Sequence, residues 1–212
     1  MKADGSNAVQ LLLLIGGISL VPALLFTVTG FTRILIVLGF VRNALGTQSM
    51  PPNQVLAGIA FFLTLFVMSP TLKQVNNQAV KPWRAHKISQ SVAIERAQEP
   101  LRTFMFKQTR DSDLALFIKL SGGERPKTRA DVPTVVLIPA FILTELQTAF
   151  QIRFLLFLPF LIIDMVVSST LMSMGMMMLP PVLISLPFKI LLFVLVDGWH
   201  LVIEGVVNSF RT

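Results

Sequence analysis

Six acidic or basic (Asp, Glu, Lys or Arg) side chains lie inside two long apolar segments near the C-terminus. They are Glu145, Arg153 and Asp164 on one segment and Lys189, Asp197 and Glu204 on the next. At about 100° per helical residue, each set of three falls within a sector of about 100° or less, which gives each helix a polar stripe. A charge at membrane depth costs several kcal/mol unless it is paired or hydrated. Because the signs alternate, we expect ion pairs such as Asp164 with Lys189; a proton relay or a catalytic carboxylate pair is the alternative.

Two further cations accompany an earlier apolar segment. Arg33 interrupts this segment, and Arg42 follows it. Polar groups on apolar helices need partners, so we group both arginines with the six charges above as candidates for ion pairs within a helix or between subunits. The two polar stripes favour an oligomer.

Half of the ten methionines fall between the two charged segments. They are Met172, Met174, Met176, Met177 and Met178. A methionine side chain is unbranched and polarizable, so it adapts to irregular gaps. Gly175 gives the run a mobile backbone, and Pro180 and Pro181 restart a helix after it. We therefore interpret the run as a soft plug on a loop; the alternative is that these methionines fill gaps in a helix–helix core.

Other residue types that carry chemistry show no pattern typical of an enzyme. His86 and His200 lack the spacing of metal ligands. The chain has no cysteine, and the nucleotide, hydrolase and zinc-protease motifs GxxxxGK[ST], GxGxxG, GxSxG and HExxH are absent from it. We predict a protein that is not an enzyme and that holds no metal and no cofactor.

The composition indicates a membrane protein. Charged residues make up 14% of the 212 residues and hydrophobic residues 53%, whereas soluble domains carry about a quarter charged residues. Mean hydropathy is +0.72. The net charge of +7 is segregated along the chain without a basic–aromatic array, which disfavours nucleic-acid binding.

The apolar segments fall into two groups separated by a charged insertion. They cover about 8–29 with a continuation over 31–41, then 54–68, 133–174 and 182–207. The insertion, 71–132, holds twelve of the 18 Lys and Arg residues and six of the 11 acids. We therefore predict an all-α integral membrane protein with a helical hairpin in 1–70, a small water-facing helical insertion in 71–132 and a second helical hairpin in 133–212.

Local signals predict the ends of several helices. A turn containing Gly46, Pro51 and Pro52 precedes the second apolar segment and parallels Pro180 and Pro181 before the fourth. Proline suits the first helical turn, where its missing N–H would have no partner. In the insertion we expect a helix start near Ser91, a first helical turn at Pro100, and a cap at Asp111 or Ser112.

Long blocks of the sequence form extended, gap-free patterns. They are NALGTQSMPPNQV at 43–55, FKQTRDSDLALF in the insertion, and TAFQIRFLLFLPFLIIDMVVSSTLMSMGMMMLPP continuing through LPFKILLFVLVDGWHLV. These blocks closely resemble the FliP family of type III secretion export gates. The resemblance covers the chain from Phe31 to Val202. It favours the flagellar branch, with the SctR subunit of virulence injectisomes as the alternative and a small-solute or ion transporter using Asp164 and Glu145 as a more distant one.

The resemblance implies a core subunit of the flagellar protein export gate. Members are multi-pass proteins of the bacterial inner membrane and the flagellar basal body, and several copies, taken as a pentamer, assemble helically with FliQ and FliR. FlhB and FlhA are further expected partners, together with membrane lipid and the unfolded proteins that pass through the centre. By the same resemblance, Met176, Met177 and Met178 form a gasket that narrows the closed pore, and Asp164 and Lys189 take part in packing between subunits.

Two expectations concern topology. A count of basic residues places the insertion in the cytoplasm, whereas the resemblance places it in the periplasm, with the assembled core largely at periplasmic level. We follow the resemblance, since the insertion is about as long as the limit of the charge rule. The first apolar segment is long and lacks the flanks of a typical signal peptide, so we expect it to be the first span.

Overall fold

The regular secondary structure in the described part of the chain is entirely helical. The structure is a computed structural model and describes residues 16, 22–23, 25–47, 49–122, 126–176 and 178–210, among which no residue is in a β-strand. The elements are α1 (Phe31–Leu45), α2 (Asn53–Val75), a π-helical turn (Asn76–Val80), α3 (Lys81–Arg84), α4 (Gln90–Gln108), α5 (Asp111–Leu120), α6 (Thr134–Ser173), α7 (Pro181–Leu195) and α8 (Gly198–Asn208). The all-α expectation is confirmed. Most of the predicted first span lies outside the described residues.

Two helices in the described part are long and apolar enough to cross a membrane. One is the continuous helix Asn53–Arg84 of 32 residues, and the other is α6 with 40 residues. The pair α7 and α8 adds a third span if its 66° bend is counted within one crossing. At about 1.5 Å per residue, both long helices exceed the ~30 Å of a bilayer core.

The chain divides into two compact units. The first comprises residues 1–29 and 71–142, and the second comprises 30–70 and 143–212. The core of the first unit contains Met105, Leu114, Val132, Leu137, Ala140 and Phe141. Arg102 donates to the Val132 carbonyl at 2.8 Å and to Thr134 Oγ1 at 2.5 Å, so it holds the chain where α6 begins. The functional division into 1–70, 71–132 and 133–212 stays a prediction.

Two local predictions for the insertion are wrong. Pro100 does not start a helix; it lies in the middle of α4, which begins at Gln90 after a Ser89 cap. Pro100 is buried, and packing offsets the helical hydrogen bond that proline removes. The cap of α5 is the backbone of Arg110, and Asp111 is its first helical residue. An acidic residue in a first turn is favourable because the helix dipole is positive there.

The fourth apolar segment is not one helix, which corrects the predicted second stripe. It breaks between α7 and α8, where Asp197 has φ 50° in the left-handed region. Gly198 follows, and a Cβ there would lie 2.2 Å from the Phe193 ring. Phe193 also contacts Trp199 edge-on, with ring centroids 5.3 Å apart. Because of the 66° bend, Lys189 does not share a helix face with Asp197 and Glu204.

Candidate functional site

The methionine loop, defined as residues 174–180, begins at a sharply defined helix end. The Met176 N–H donates to the Leu171 carbonyl at 2.9 Å, and the Gly175 N–H donates to the Met172 carbonyl at 3.1 Å. Gly175 has φ 75°. These two bonds with a left-handed glycine form a Schellman motif, which satisfies the last carbonyls of a helix. Gly175 therefore ends α6 with a defined backbone geometry, and its role as a source of backbone mobility stays a prediction.

The described methionines in the methionine loop and at the end of α6 do not pack into a core of this chain. Met178 is 98% exposed, and Met172, Met174 and Met176 are also exposed. Met177 lies outside the described residues. For the four described methionines, the interpretation as gap-fillers of a helix–helix core is wrong within one chain. A cluster of exposed apolar side chains is typical of a surface that meets a partner.

Proline ends the methionine loop and starts the next helix. Pro181 is the first residue of α7, as predicted, and Pro180 is its cap in an extended conformation. The other proline pair is placed differently: Pro51 and Pro52 precede α2, and the Pro52 carbonyl accepts from the N–H groups of Val55 and Leu56. Gly46, with φ 78°, ends α1 in the left-handed conformation.

A buried polar cluster joins the two helices that flank the methionine loop. Lys189 Nζ of α7 donates to Asp164 Oδ2 of α6 at 2.6 Å, and Ser185 Oγ donates to Asp164 Oδ1 at 2.5 Å. Ser185 and Lys189 are buried, and the Asp164 side chain is 24% exposed. Asp164 and Lys189 were predicted from the sequence as a pair, whereas Ser185 was not predicted. Its position one turn before Lys189 on the same helix face was the available signal.

The cluster lies at similar distances from the methionine loop on α6 and α7. Asp164 lies nine residues before the end of α6 at Ser173, and Lys189 lies eight residues after the start of α7 at Pro181. At 1.5 Å per residue, both contacts lie about 12–14 Å from the loop. The ion pair therefore joins the two helices about the same distance from the loop on each side.

A second buried ion pair joins α1 and α6. Arg33 Nε donates to Glu145 Oε2 at 3.0 Å, and Nη2 contacts the other carboxylate oxygen. Arg33 Nη1 also donates to the Ser209 carbonyl at 2.9 Å and to Ser209 Oγ at 3.0 Å, and the Phe210 ring lies 3.9 Å from the guanidinium carbon. Both charged residues are buried. Both charges were predicted as ion-pair candidates but not as partners of each other, because their 112-residue separation gives no local signal.

The remaining predicted charges have other surroundings. Arg153 lies over the Phe40 ring at 4.2 Å, and Glu204 is 3.9 Å from His200 in an exposed pair. Within the described ranges, Arg42, Arg153 and Asp197 are in no ion pair of one chain. The same ranges contain no group of three or more His, Asp or Glu side chains that could hold a metal. This unit thus combines an exposed apolar loop with two buried ion pairs, which join α6 to α7 and to α1.

Comparisons with the sequences of known proteins identify the family of this chain. The sequence profile of the FliP family matches residues 14–206. The chain is 57% identical over 205 residues to the flagellar biosynthetic protein FliP of Bacillus subtilis (strain 168), which covers 97% of this chain and 93% of the relative. It is 55% identical to the protein of the same name from Pectobacterium carotovorum, over 96% of this chain and 79% of the relative. The FliP protein of Treponema denticola is 53% identical, over 98% of this chain and 77% of the relative. The chain belongs to the FliP family.

Proposed function

We propose that this chain is a subunit of the flagellar protein export apparatus, and that the methionine loops of several copies meet at a common axis and close the export pore. Family membership supports the flagellar assignment. The observation that carries the pore proposal is the nearly complete exposure of Met178. This residue lies on the loop between α6 and α7, which the Asp164–Lys189 ion pair joins. Met176, Met177 and Met178 form the proposed gasket, flanked by Met172, Met174 and Gly175.

Methionine suits a seal that must open for a protein chain. Its flexible, polarizable side chain makes apolar contact without a fixed partner geometry. Ions are held back because an apolar ring offers no replacement for their hydration shell, as in pores that gate by dewetting. An unfolded polypeptide displaces the side chains and packs against them in turn. The chain itself contributes no catalytic step to this process.

The exposed apolar surface of the second unit supports assembly with other membrane subunits. On α6 and α7, Met165, Val166, Leu191 and Leu195 are among the large apolar side chains that are exposed in one chain. We propose that five copies cover these faces by packing helically with one another, with FliQ and with one FliR, and that FlhB and FlhA contact the assembly. In this arrangement the two helical hairpins lie in or above the bacterial inner membrane, and the insertion 71–132 faces the periplasm.

A transporter function has less support. It would use Glu145 and Asp164 as a binding site for an ion or a small solute, near an interrupted helix. Glu145 is already bonded to Arg33, and Asp164 to Lys189 and Ser185. Both carboxylates thus have partners within the chain, and their proposed role is to position helices, within one subunit or between neighbours.

Cysteine cross-linking tests whether the loops of different copies meet. The chain has no cysteine, so Met178→Cys introduces a single thiol without background. In assembled complexes with FliQ and FliR, we expect a mild oxidant to convert most of this variant into disulfide-linked dimers. Leu120→Cys, at an exposed position (69%) on α5, is the control for random collision. Equal cross-linking of the two variants would contradict a common axis at the methionine loop.

A further inference from the structure

A groove of about 590 Å³ lies on the second unit between α1, α2 and α6. Its apolar lining includes Leu35, Phe40, Leu56 and Phe150, and its polar lining residues are Arg42, Asn43 and Asn53. The volume falls within the ~300–1,000 Å³ of ligand sites, which combine a mostly apolar surface with a few placed polar groups. The groove therefore has the size and lining of a site for an amphiphilic molecule.

Arg42 brings to this groove a positive charge that no described residue neutralises. Its Nη1 donates to the Pro51 carbonyl at 3.2 Å and to Asn53 Oδ1 at 2.6 Å, which are both neutral acceptors. Its Nε is buried and has no acceptor in the described part of the chain. Leaving a buried donor of a charged group unsatisfied is costly, so the arginine calls for an anionic oxygen.

Two features near Arg42 also carry positive charge or partial charge. α2 begins at Asn53, which lines the groove, and the first N–H groups of a helix favour an anion. Arg153 stacks on Phe40, another lining residue, and is in no ion pair among the residues that the structure describes. Arg42 and the start of α2 thus lie on the wall of the groove, and Arg153 contacts one of its lining residues.

We propose that this groove binds one anionic phospholipid, whose phosphate contacts Arg42 and whose acyl chain lies along the apolar wall. Basic pockets between membrane helices are typical sites for such headgroups. The adjacent face of α6 exposes Phe150, Phe154 and Leu155 on a helix that is apolar enough to span a bilayer, so lipid is the natural solvent of this surface. A second copy is the alternative occupant, and the test below distinguishes it from lipid. The proposal does not depend on the pore.

Native mass spectrometry of the full chain in detergent micelles tests the lipid site. The probes are phosphatidylglycerol, phosphatidylcholine with the same acyl chains, and inorganic phosphate as a competitor. We expect the wild-type chain to retain one phosphatidylglycerol about tenfold more strongly than phosphatidylcholine, as for one charge-assisted hydrogen bond. Arg42→Gln should remove this preference, and millimolar phosphate should not displace the lipid because it cannot occupy the apolar wall.

Two glycine variants separate filling of the groove from loss of the charge. Gly39 lines the groove, and a Cβ added there meets no atom within 4 Å, so Gly39→Leu should fold while filling the groove. The affinity of Gly39→Leu for phosphatidylglycerol should be about tenfold lower than that of the wild-type chain, although Arg42 is intact. Gly58→Leu, at an equally open position of α2 outside the groove, should retain the lipid.

Three results would overturn the lipid proposal. The first is equal binding of phosphatidylglycerol by Gly39→Leu and the wild-type chain. The second is equal binding of the zwitterionic and anionic lipids by the wild-type chain. The third is loss of self-association in Gly39→Leu with unchanged lipid binding, which would assign the groove to a second copy.

Discussion

Buried charged side chains on α1, α6 and α7 form ion pairs with oppositely charged side chains. Asp164 and Lys189 connect α6 with α7, and Arg33 and Glu145 connect α1 with α6. A buried ion pair adds little net stability, because desolvation offsets most of the attraction. Removing one partner is much more costly, since the other charge is left buried and uncompensated. These pairs therefore fix how the helices align.

Asp164→Asn should destabilise the chain by about 3 kcal/mol, because Lys189 is left buried without a counter-ion. The measurement is the free energy of unfolding in detergent micelles by denaturant titration. Replacing both partners, as in Asp164→Asn with Lys189→Met, should be closer to wild type than the single variant. The control is Glu204→Gln, which removes an exposed pair with His200 and should change stability by about 0.5 kcal/mol or less. An unchanged unfolding free energy for Asp164→Asn would contradict a structural role of the pair.

Arg33→Lys should also destabilise the chain, by about 2 kcal/mol, although the charge is kept. A lysine ammonium cannot reproduce the fork that reaches Glu145 and Ser209 together, nor the stacking on Phe210. The same titration measures the effect, and limited proteolysis should release the C-terminal residues faster than in wild type. A lysine variant as stable as wild type would show that charge alone suffices at this position.

At the scale of elements, the end of α6 determines where the methionine loop begins. The Schellman motif at Gly175 needs a left-handed residue, a conformation in which a Cβ is strained. This end of α6 therefore depends on Gly175. The loop is short because Pro181 immediately starts α7.

Two glycine-to-alanine substitutions should have opposite signs. Gly175→Ala should lower the free energy of unfolding by about 1–2 kcal/mol because of its positive φ. Gly58→Ala, inside α2 with open space around the added Cβ, should raise it by about 0.5–1 kcal/mol. Thermal unfolding of both variants in one detergent gives the comparison. A stabilised Gly175→Ala would mean that α6 does not end with this cap.

The sequence predicted elements best where apolar runs are long. α6 agrees with its predicted range although Pro139 and Pro159 lie inside it, because apolar membrane helices tolerate single prolines. The fourth segment was mistaken for one helix, although the Asp-Gly pair at 197–198 is a known turn signal. The surrounding residues are apolar and mask it. The packing of Gly198 against Phe193 is a tertiary contact that no local pattern reveals.

The candidate site was predictable in part for a related reason. Clustered methionines and charges in apolar helices are visible as composition, so Met178, Asp164 and Lys189 could be selected from the sequence alone. Partners that are distant in the chain, such as Ser209 for Arg33, depend on the fold and could not be predicted from the sequence. The roles of these residues in an assembly stay predictions.

At the scale of the whole molecule, the second unit has more apolar surface than one chain can cover. Phe62, Phe66, Phe154 and Leu195 are all more than half exposed. Such a surface is typical of a subunit that is covered by lipid and by other proteins. The proposed assembly uses this surface for packing and leaves the methionine loops at the axis, where they close the pore.

The most direct test of this account is the ion conductance of the closed, reconstituted assembly with FliQ and FliR. The variant replaces Met176, Met177 and Met178 by alanine, which shortens the side chains of the seal without adding charge. Assembly should be intact by size-exclusion chromatography, because Met176 and Met178 are exposed and lie outside the buried clusters. We expect the variant to leak ions at least tenfold more than wild type. An intact assembly with unchanged conductance would contradict the proposal that the methionine loop closes the pore.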